Sequence, residues 1–279
     1  MAQRVLILGG SGLLGRALLR QRPDSVDALA PAPEELPLED LPRIREALRA
    51  ERIDRLLLLA AWAAVDACEA DPERAFLLNG ILPGRIAREA ARLGLPLIFM
   101  STDYVFDGRQ LRPYREFDAA GPLSVYARSK WYGECRVREA GGAPRIVRSA
   151  GLYGAGGPDF VEAILQRLRQ GTVRVVTDEV NTPTWVDDLA PALWQVALAE
   201  EPGTWHLASA GEVSRFEFAR RIARLRGFDP EQVLPTTHAE LKRPAPRPAY
   251  SALDCQAARA VFGIELPAWD DALARYLAP

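Results

Sequence analysis

The chain is poor in cysteine and histidine, the side chains that most often build disulfide frameworks and zinc sites. Of its 279 residues only three are cysteines, Cys68, Cys135 and Cys255, and they are widely spaced with no C-x-x-C pair. The two histidines, His206 and His238, lie far from each other. This scarcity argues against a disulfide framework, a histidine-based zinc site and a Ser-His-Asp triad. It predicts free, buried thiols in a reducing cytosol.

The chain also lacks a strong charge of either sign and a long apolar run. Its formal net charge is −2, which gives no electrostatic reason to expect nucleic acid or an anionic membrane as a partner. No apolar run approaches the roughly 20 residues of a membrane helix. The first predicted strand begins at Arg4, which leaves no room for a signal peptide. We expect a cytoplasmic, globular protein.

Lysine is almost absent. Lys130 and Lys242 are the only lysines among 35 basic residues. Because arginine serves wherever a surface cation suffices, a lysine in this chain is expected to meet a need that a guanidinium cannot. An ammonium is a compact point charge whose pKa responds to its surroundings.

What the chain does contain is a regular alternation of strand and helix patterns over its first 150 residues. The predicted strands are 4–8, 26–30, 56–60, 95–101 and 145–149, and the predicted helices are 13–21, 41–50, 71–93 and 124–139. This alternation predicts an α/β fold with a Rossmann-type, doubly wound parallel sheet. Beyond residue 153 the pattern is less regular, with helices at 160–170, 186–199, 215–226 and 269–276 and a strand at 173–176. That part indicates a smaller second domain.

The first motif is the glycine-rich run Gly9-Gly10-Ser11-Gly12-Leu13-Leu14-Gly15, between the first predicted strand and the first predicted helix. Its glycines permit a tight turn and leave N–H groups free at a helix N-terminus, where a pyrophosphate is stabilised. The motif therefore predicts a dinucleotide cofactor. The candidate contacts are Gly9, Ser11, Gly12, Leu13, Leu14 and Gly15. The G-x-x-G-x-x-G spacing is typical of short-chain dehydrogenases.

The second predicted strand carries no clear signal for the cofactor's ribose. An acidic residue about 20 positions after the glycines would favour NAD. Here the strand runs into Ala30 and Pro31, and Asp27 lies at its start. No arginine stands at the end of this strand for a 2′-phosphate either, and Arg16 is the candidate to reach it. The missing acid favours NADPH over NADH, and both stay candidates.

The second motif is Tyr126-Ala-Arg-Ser-Lys130, within a predicted helix. Residues four apart share one helix face, about 6 Å apart along the axis. Because a nearby ammonium favours the phenolate, we expect Lys130 to lower the pKa of Tyr126 from about 10. Tyr126 is then the candidate general acid for a carbonyl oxygen whose carbon receives a hydride.

The third motif is the run 100–108, Met-Ser-Thr-Asp-Tyr-Val-Phe-Asp-Gly, at the end of the fourth predicted strand. Ligands of parallel sheets bind at this carboxyl edge. A hydroxyl there can hydrogen-bond a substrate carbonyl and hold it against Tyr126. Thr102 lies 24 residues before Tyr126, which fits the catalytic arrangement of a short-chain dehydrogenase.

Together these motifs resemble the extended short-chain dehydrogenase/reductase family, and within it the dTDP-4-dehydrorhamnose reductase branch. The resemblance runs nearly from end to end. It includes the runs AAWAAVD at 60–66, LLN at 77–79, STDYVFDG at 101–108, PLSVY at 122–126, DEVNTPT at 178–184, GTWHL at 203–207 and RPAYS at 247–251. The S-T-D-Y-V-F and R-P-x-x-S runs are typical of this branch.

The resemblance implies an NAD(P)-binding domain, residues 1–150 plus about 175–210, and a substrate-binding domain, about 151–174 and 211–279. It implies that hydride is delivered to C4 of a nucleotide-linked keto-sugar while a tyrosine protonates the new alkoxide. The implied catalytic residues are Thr102, Tyr126 and Lys130. Thr102 and Asp103 are implied to contact the sugar. The implied cofactor contacts beyond the glycine-rich run are Leu38, Ala61, Trp62, Ala63, Asn79, Tyr126 and Lys130.

Two positions depart from the pattern of these relatives. Many carry Arg-Thr-Ser-Trp after the fifth strand, with the tryptophan facing the sugar nucleotide, whereas this chain ends the same run in Gly151. Trp185 and Tyr153 are candidates to replace that ring, and the identity of the sugar stays open. Ala17 stands where some relatives carry a glutamate that serves a magnesium-linked dimer, so we expect no such metal.

Two other functions stay open. The regulatory β subunit of methionine adenosyltransferase resembles the same branch and binds a partner protein without catalysis; co-purification with a synthetase would indicate that role. A nucleotide-sugar epimerase shares the fold and the catalytic residues; tightly retained NAD+ without net turnover would indicate it. The sequence also leaves open whether the chain forms a homodimer.

Overall fold

The computed structural model describes residues 2–157 and 159–278. The strands in this part are β1 Gln3–Leu8, β2 Val26–Leu29, β3 Arg55–Leu58, β4 Leu97–Thr102, β5 Arg145–Ser149, β6 Leu152–Tyr153, β7 Val173–Val176, β8 Val180–Asn181, β9 Thr184–Trp185, β10 Gly203–His206, β11 Val213–Ser214 and β12 Val233–Thr236. The helices are α1 Leu13–Arg20, α2 Leu41–Ala50, α3 Val65–Ala70, α4 Pro72–Phe76, α5 Leu82–Arg92, α6 Val125–Glu139, α7 Phe160–Leu168, α8 Val186–Leu198, α9 Arg215–Leu225, α10 His238–Leu241, α11 Gln256–Phe262 and α12 Trp269–Tyr276.

Six strands form one parallel sheet in the order β10-β5-β4-β3-β1-β2. The predicted Rossmann-type fold is confirmed. Because β1 lies between β2 and β3, the chain reverses its direction across the sheet at β1. The carboxyl ends of β1 and β3 therefore border the crevice in which such sheets bind ligands.

Both faces of this sheet are covered by helices. Helices α1 and α8 pack on one face over a core that includes Ile7, Leu57 and Trp194. Helices α2, α5 and α6 cover the other face over a core that includes Leu56 and Phe99. Each of these side chains is at most 1% exposed, and full burial of such a side chain stabilises the fold by about 1.5–3 kcal/mol.

A second, smaller body is built from α7, α9, α12 and the parallel pair β7–β12. Its core includes Tyr153, Val161 and Phe218. The predicted domain boundary at about residue 175 falls inside β7, which pairs with β12 in this body. The exact division into domains stays a prediction. No helix of the described residues is both long and apolar enough to cross a membrane.

Several elements differ from the sequence prediction. Residues Val65–Ala70 are helical, whereas a loop was expected through residue 66. The predicted helix 71–93 is interrupted by a π-helical turn at Leu77–Ile81, and such turns often mark functional sites. The strand Gly203–His206 was not predicted at all. It has only four residues and is defined by its pairing with β5.

Candidate active site

The glycine-rich turn lies at the carboxyl end of β1 and presents the N-terminus of α1. Gly9 has a φ of +102°, and a Cβ there would lie 2.6 Å from the backbone nitrogen of Ala60. A Cβ on Gly15 would collide with the Gly9 carbonyl oxygen. Ser11 and Gly12 are exposed, and the first turn of α1 carries no acidic residue. Because its end is open and free of negative charge, this helix fits the pyrophosphate of a dinucleotide.

The loop Ala61–Ala63 follows β3 beside that turn, and Asn79 fixes its position. The Asn79 Oδ1 accepts a hydrogen bond from the Trp62 backbone nitrogen at 2.8 Å. Its Nδ2 donates to the Trp62 carbonyl at 3.1 Å and to the Ser129 Oγ at 3.0 Å. Asn79 is fully buried, so its amide holds the loop from the interior of the protein. The direct contact of Asn79 with a cofactor stays a prediction.

Tyr126 lies in the first turn of α6, which begins after Ser124, whose side chain accepts a hydrogen bond from the Ala127 backbone nitrogen. The half-buried ring packs edge-on against Tyr104, with 6.1 Å between the ring centroids. Its hydroxyl lies near Thr102. Burial raises the pKa of Tyr126, although the hydrogen bond with Thr102 opposes this. The phenol therefore keeps its proton at neutral pH.

Lys130 lies on the same face of α6 as Tyr126, as its spacing predicts. Its ammonium does not pair with the phenol: Nζ donates to the Met100 carbonyl at 2.7 Å and lies 4.2 Å from the centre of the Phe99 ring. Burial lowers the pKa of Lys130 to about 7, against the opposing charge of Glu134. The pKa of Tyr126 is raised, the reverse of the expected lowering, because burial is the largest influence on it and Lys130 is not among the groups that shift it.

Asp103 follows Thr102 directly and is fully buried. It accepts hydrogen bonds from the Ser251 Oγ at 2.6 Å and from the Thr102 Oγ1 at 3.1 Å. Burial raises the pKa of Asp103 to about 6, while the bond from Ser251 and the charge of Arg215 oppose this rise. The S-T-D and R-P-x-x-S runs, about 150 residues apart in sequence, are thus joined at the site.

A buried acid that the sequence analysis missed lies one turn beyond Lys130. The Glu134 carboxylate accepts hydrogen bonds from the Ser101 Oγ at 2.6 Å, from Arg138 at 2.7 Å, and from Arg148 at 2.8 and 2.9 Å. Burial favours its neutral form, but Arg148 outweighs burial and holds the pKa of Glu134 below its usual range. Glu134 thereby fastens α6 to β4 and β5 beside Thr102. The four-residue spacing from Tyr126 through Lys130 to Glu134 was the available signal.

Three further residues that the sequence analysis named have other partners. Arg16, the candidate for a 2′-phosphate, donates to the Gly156 carbonyl, and its contact with a cofactor stays a prediction. Tyr153 is fully buried against Phe218, and Trp185 packs against Tyr276 beneath Arg275.

The rings of Tyr153 and Trp185 therefore pack in the smaller body. Neither is free to replace the tryptophan that many relatives carry after the fifth strand. Gly151 has a φ of +52°, and a Cβ there would lie 3.1 Å from the Asn181 Nδ2 and 3.2 Å from the Pro183 Cα. Leu38 is half-buried against the core of α2 and β1, and its contact with a cofactor stays a prediction.

Comparison with known proteins places this geometry in a family. The family described as RmlD substrate binding domain matches residues 3–279. The dTDP-4-dehydrorhamnose reductase of Streptomyces griseus is 40% identical over 261 residues, which cover 90% of this chain and 85% of that protein. The spore coat polysaccharide biosynthesis protein SpsK of Bacillus subtilis is 34% identical, with 98% and 96% covered.

Solved structures agree with this placement. The dTDP-4-dehydrorhamnose reductase of Bacillus anthracis, solved in complex with NADP, superposes with a TM-score of 0.94 at 30% identity, and 99% of each chain is covered. The corresponding protein of Clostridium acetobutylicum gives a TM-score of 0.93 at 33% identity, with 99% of this chain and 98% of that one covered. The chain belongs to the RmlD substrate-binding-domain family of the extended short-chain dehydrogenases/reductases.

Proposed function

We propose that this protein reduces the 4-keto group of dTDP-4-dehydro-L-rhamnose to give dTDP-L-rhamnose, using NADPH or NADH. One observation carries the proposal: Thr102, at the carboxyl end of β4, lies close enough to Tyr126 to oppose the rise of its pKa, at the same sheet edge where β1 ends in the open glycine-rich turn. The names of its relatives supply the substrate. Streptomyces griseus and Mycolicibacterium smegmatis proteins, 40% and 38% identical, are dTDP-4-dehydrorhamnose reductases.

Tyr126 and Thr102 have different roles in the reduction. When bound, the reduced nicotinamide supplies the hydride. Tyr126, which burial keeps protonated, donates its proton to the carbonyl oxygen as charge develops there, and the resulting phenolate regains a proton from solvent. When substrate binds, the Thr102 hydroxyl turns from Asp103 to the carbonyl oxygen and holds it against the phenol by a hydrogen bond. The ketone thus gains a hydride at carbon and a proton at oxygen and becomes an alcohol.

Lys130 and Glu134 position the Thr102 and Tyr126 hydroxyls relative to each other. The bond from Lys130 to the Met100 carbonyl fixes α6 against β4 two residues before Thr102. Glu134 ties the same helix to Ser101, the residue next to Thr102. Because both contacts connect the helix of Tyr126 with the strand of Thr102, we propose that they set the separation of the two reacting hydroxyls.

The end of β2 favours NADPH over NADH. The acid nearest to it, Asp27, pairs with Arg4 at 3.1 Å, so it is engaged at the start of the strand. The Bacillus anthracis relative was solved with NADP. We therefore expect the 2′-phosphate to be accepted.

The test follows cofactor oxidation by absorbance, with dTDP-4-dehydro-L-rhamnose as substrate and NADPH and NADH in separate reactions. We expect substrate-dependent oxidation, with the higher kcat/KM for NADPH. Absence of oxidation with either cofactor would overturn the proposal. Co-purification with a methionine adenosyltransferase would then indicate a regulatory subunit, and retained NAD+ an epimerase.

A further inference from the structure

The hydroxyl of Thr102, the proposed hydrogen-bond donor to the substrate carbonyl, already has partners in the structure. It donates to the Asp103 Oδ1 at 3.1 Å and accepts a hydrogen bond from the Tyr104 backbone nitrogen at 3.2 Å. A hydroxyl has a single proton to donate. The one proton with which Thr102 can bind a substrate oxygen is therefore given to Asp103.

The carboxyl group of Asp103 is held between two hydroxyls. Asp103 is 2% exposed, its Oδ1 faces Thr102, and its Oδ2 accepts a hydrogen bond from the Ser251 Oγ at 2.6 Å. Ser251 is buried too, and its backbone nitrogen donates to the Val180 carbonyl. Because Ser251 is fixed in this way and holds Oδ2, the other oxygen of Asp103 stays directed at Thr102.

A turn of the Thr102 hydroxyl towards a substrate has different consequences for the two protonation states of Asp103. If Asp103 is a carboxylate, its Oδ1 loses a donor, and a buried charge without its partner is costly. If Asp103 is a neutral acid with its proton on Oδ1, it donates to the Thr102 Oγ1, whose own proton is then free for the substrate. Only the neutral acid leaves both side chains hydrogen-bonded after the turn.

The groups around Asp103 bring both of its protonation states within reach near neutral pH. Burial favours the neutral acid and raises the pKa of Asp103 to about 6, against the bond from Ser251 and the charge of Arg215 on α9. The neighbouring phenols of Tyr104 and Tyr126 carry no charge, because burial raises the pKa of each. A small change in the surroundings of Asp103, such as the loss of one donor, therefore suffices to change its protonation.

We propose that Asp103 is a positioning residue that takes up a proton when the keto-sugar binds and, as a neutral acid, directs the Thr102 hydroxyl to the carbonyl oxygen. The protons balance. One solvent proton goes to the Asp103 Oδ1 on binding and returns to solvent when the alcohol leaves, while the proton added to the substrate oxygen comes from Tyr126. The inference rests on the proposed function, since it concerns the donor to the carbonyl in that reduction.

The first test counts protons on binding without catalysis. NADP+ carries no hydride to transfer, so dTDP-4-dehydro-L-rhamnose forms a non-reacting complex with the protein saturated with NADP+. Calorimetry at about pH 7.5, in two buffers of different ionisation heat, gives the number of protons taken up. We expect Asp103→Asn to take up about one proton fewer than the wild type, because its amide donates to Thr102 and accepts from Ser251 without one.

The second test follows kcat/KM between about pH 6 and about pH 7. Because the reaction needs the neutral acid, the wild type should lose roughly fivefold or more over this interval. Asp103→Asn should lose no more than about twofold, from the titration of Lys130. Ser251→Ala removes a bond that favours the carboxylate, so it should move the fall to higher pH, which a loss of packing alone would not do.

The matched control is Glu116→Gln. Glu116 is another partly buried acid whose pKa burial raises, and its carboxylate accepts a hydrogen bond from the His206 backbone nitrogen. This variant should keep the proton uptake and the pH dependence of the wild type. Equal proton uptake by the wild type and Asp103→Asn, or a fall at unchanged pH in Ser251→Ala, would overturn the inference, and wild-type turnover would then leave the proposed function standing. A wild type that neither binds nor reduces the keto-sugar would refute both.

Discussion

Lys130 occupies a place that suits an ammonium and not a guanidinium. It is 2% exposed, and its Nζ is held between the Met100 carbonyl and the Phe99 ring. The larger, planar head of arginine cannot take this position without displacing β4. We therefore expect Lys130→Arg to lower kcat/KM by roughly 100-fold, because the Thr102 and Tyr126 hydroxyls are no longer held at the right separation.

Two further variants make this prediction specific. Lys130→Met has a similar length and no charge, so it should fold, as thermal denaturation can check, and should still lose activity. Arg128→Lys, on the exposed side of the same helix, should behave as the wild type. Full activity in Lys130→Arg would show that the scarcity of lysine in this chain carries no functional meaning.

The sequence allowed the candidate reactive residues to be predicted, but not the residues with which their side chains form hydrogen bonds. Thr102, Tyr126 and Lys130 stood out because residue type and spacing are enough to place them on one strand end and one helix face. The engagement of Lys130 with Met100 depends on how closely α6 packs on β4, which a helical spacing does not contain. The bond between Asp103 and Ser251 joins residues 148 positions apart, and only the tertiary fold brings them together.

The turn after β5 disfavours a large side chain at residue 151. Gly151 is left-handed, and a Cβ would crowd both the Asn181 amide and the backbone at Pro183. We expect Gly151→Ala to lower the free energy of unfolding by about 1–3 kcal/mol. Gly151→Trp should lower it at least as much and should not tighten substrate binding.

Gly94 offers a matched control for this prediction. It is also left-handed, with a φ of +66°, but a Cβ there would meet no atom within 4 Å. Gly94→Ala should therefore show the backbone cost alone, as chemical denaturation can measure. If both alanine variants are destabilised equally, crowding at Gly151 plays no part.

Element types were predictable where an apolar or periodic run marks them, and were missed in short elements that lack such a run. Helices α2 and α12 begin and end where predicted because their apolar residues recur over two or more turns. Strand β10 and helix α3 have four and six residues. So few residues show no reliable period, and pairing with β5 or packing against α6 decides their structure.

The stability of the whole molecule should depend on pH through one buried ring. His206 is fully buried, its Nδ1 lies near the carbonyls of Tyr114 and Asp254, and burial together with the charge of Arg148 lowers its pKa to about 3. In the unfolded chain the ring gains a proton near pH 6.5. Below that pH the unfolded state binds more protons, so the free energy of unfolding falls by up to about 1.4 kcal/mol per pH unit.

His206→Gln removes this contribution while keeping a polar amide in the same place. Urea denaturation of the wild type and the variant at about pH 7.5 and about pH 5 measures the contribution of His206. The contributions of the carboxylates are common to both proteins and cancel in the comparison. The wild type should lose more stability on acidification than the variant does. Identical pH dependences would mean that His206 has the same pKa in the native and the unfolded states.

The alternating pattern of the chain predicted the Rossmann-type sheet, but no sequence pattern predicted the cavity that is lined by Arg215, Arg243 and Arg247. Its lining comes from α3, the segment after β4, β7, the start of α9 and the proline-rich segment near residue 245. Arginines are so common in this sequence that Arg215 and Arg243 were not conspicuous, and Arg247 stood out only through the R-P-x-x-S run. Their convergence on one cavity distinguishes them.

The transfer of a hydride, with Tyr126 as the proton donor, is tested most directly by isotope. NADPH deuterated at its transferable position is incubated with dTDP-4-dehydro-L-rhamnose, and the sugar product is analysed by mass spectrometry and NMR. We expect one deuterium at C4 of the sugar with the wild type, and a rate lower by about 10²–10⁴-fold with Tyr126→Phe. A product without deuterium, or a Tyr126→Phe variant that works at the wild-type rate, would contradict this mechanism.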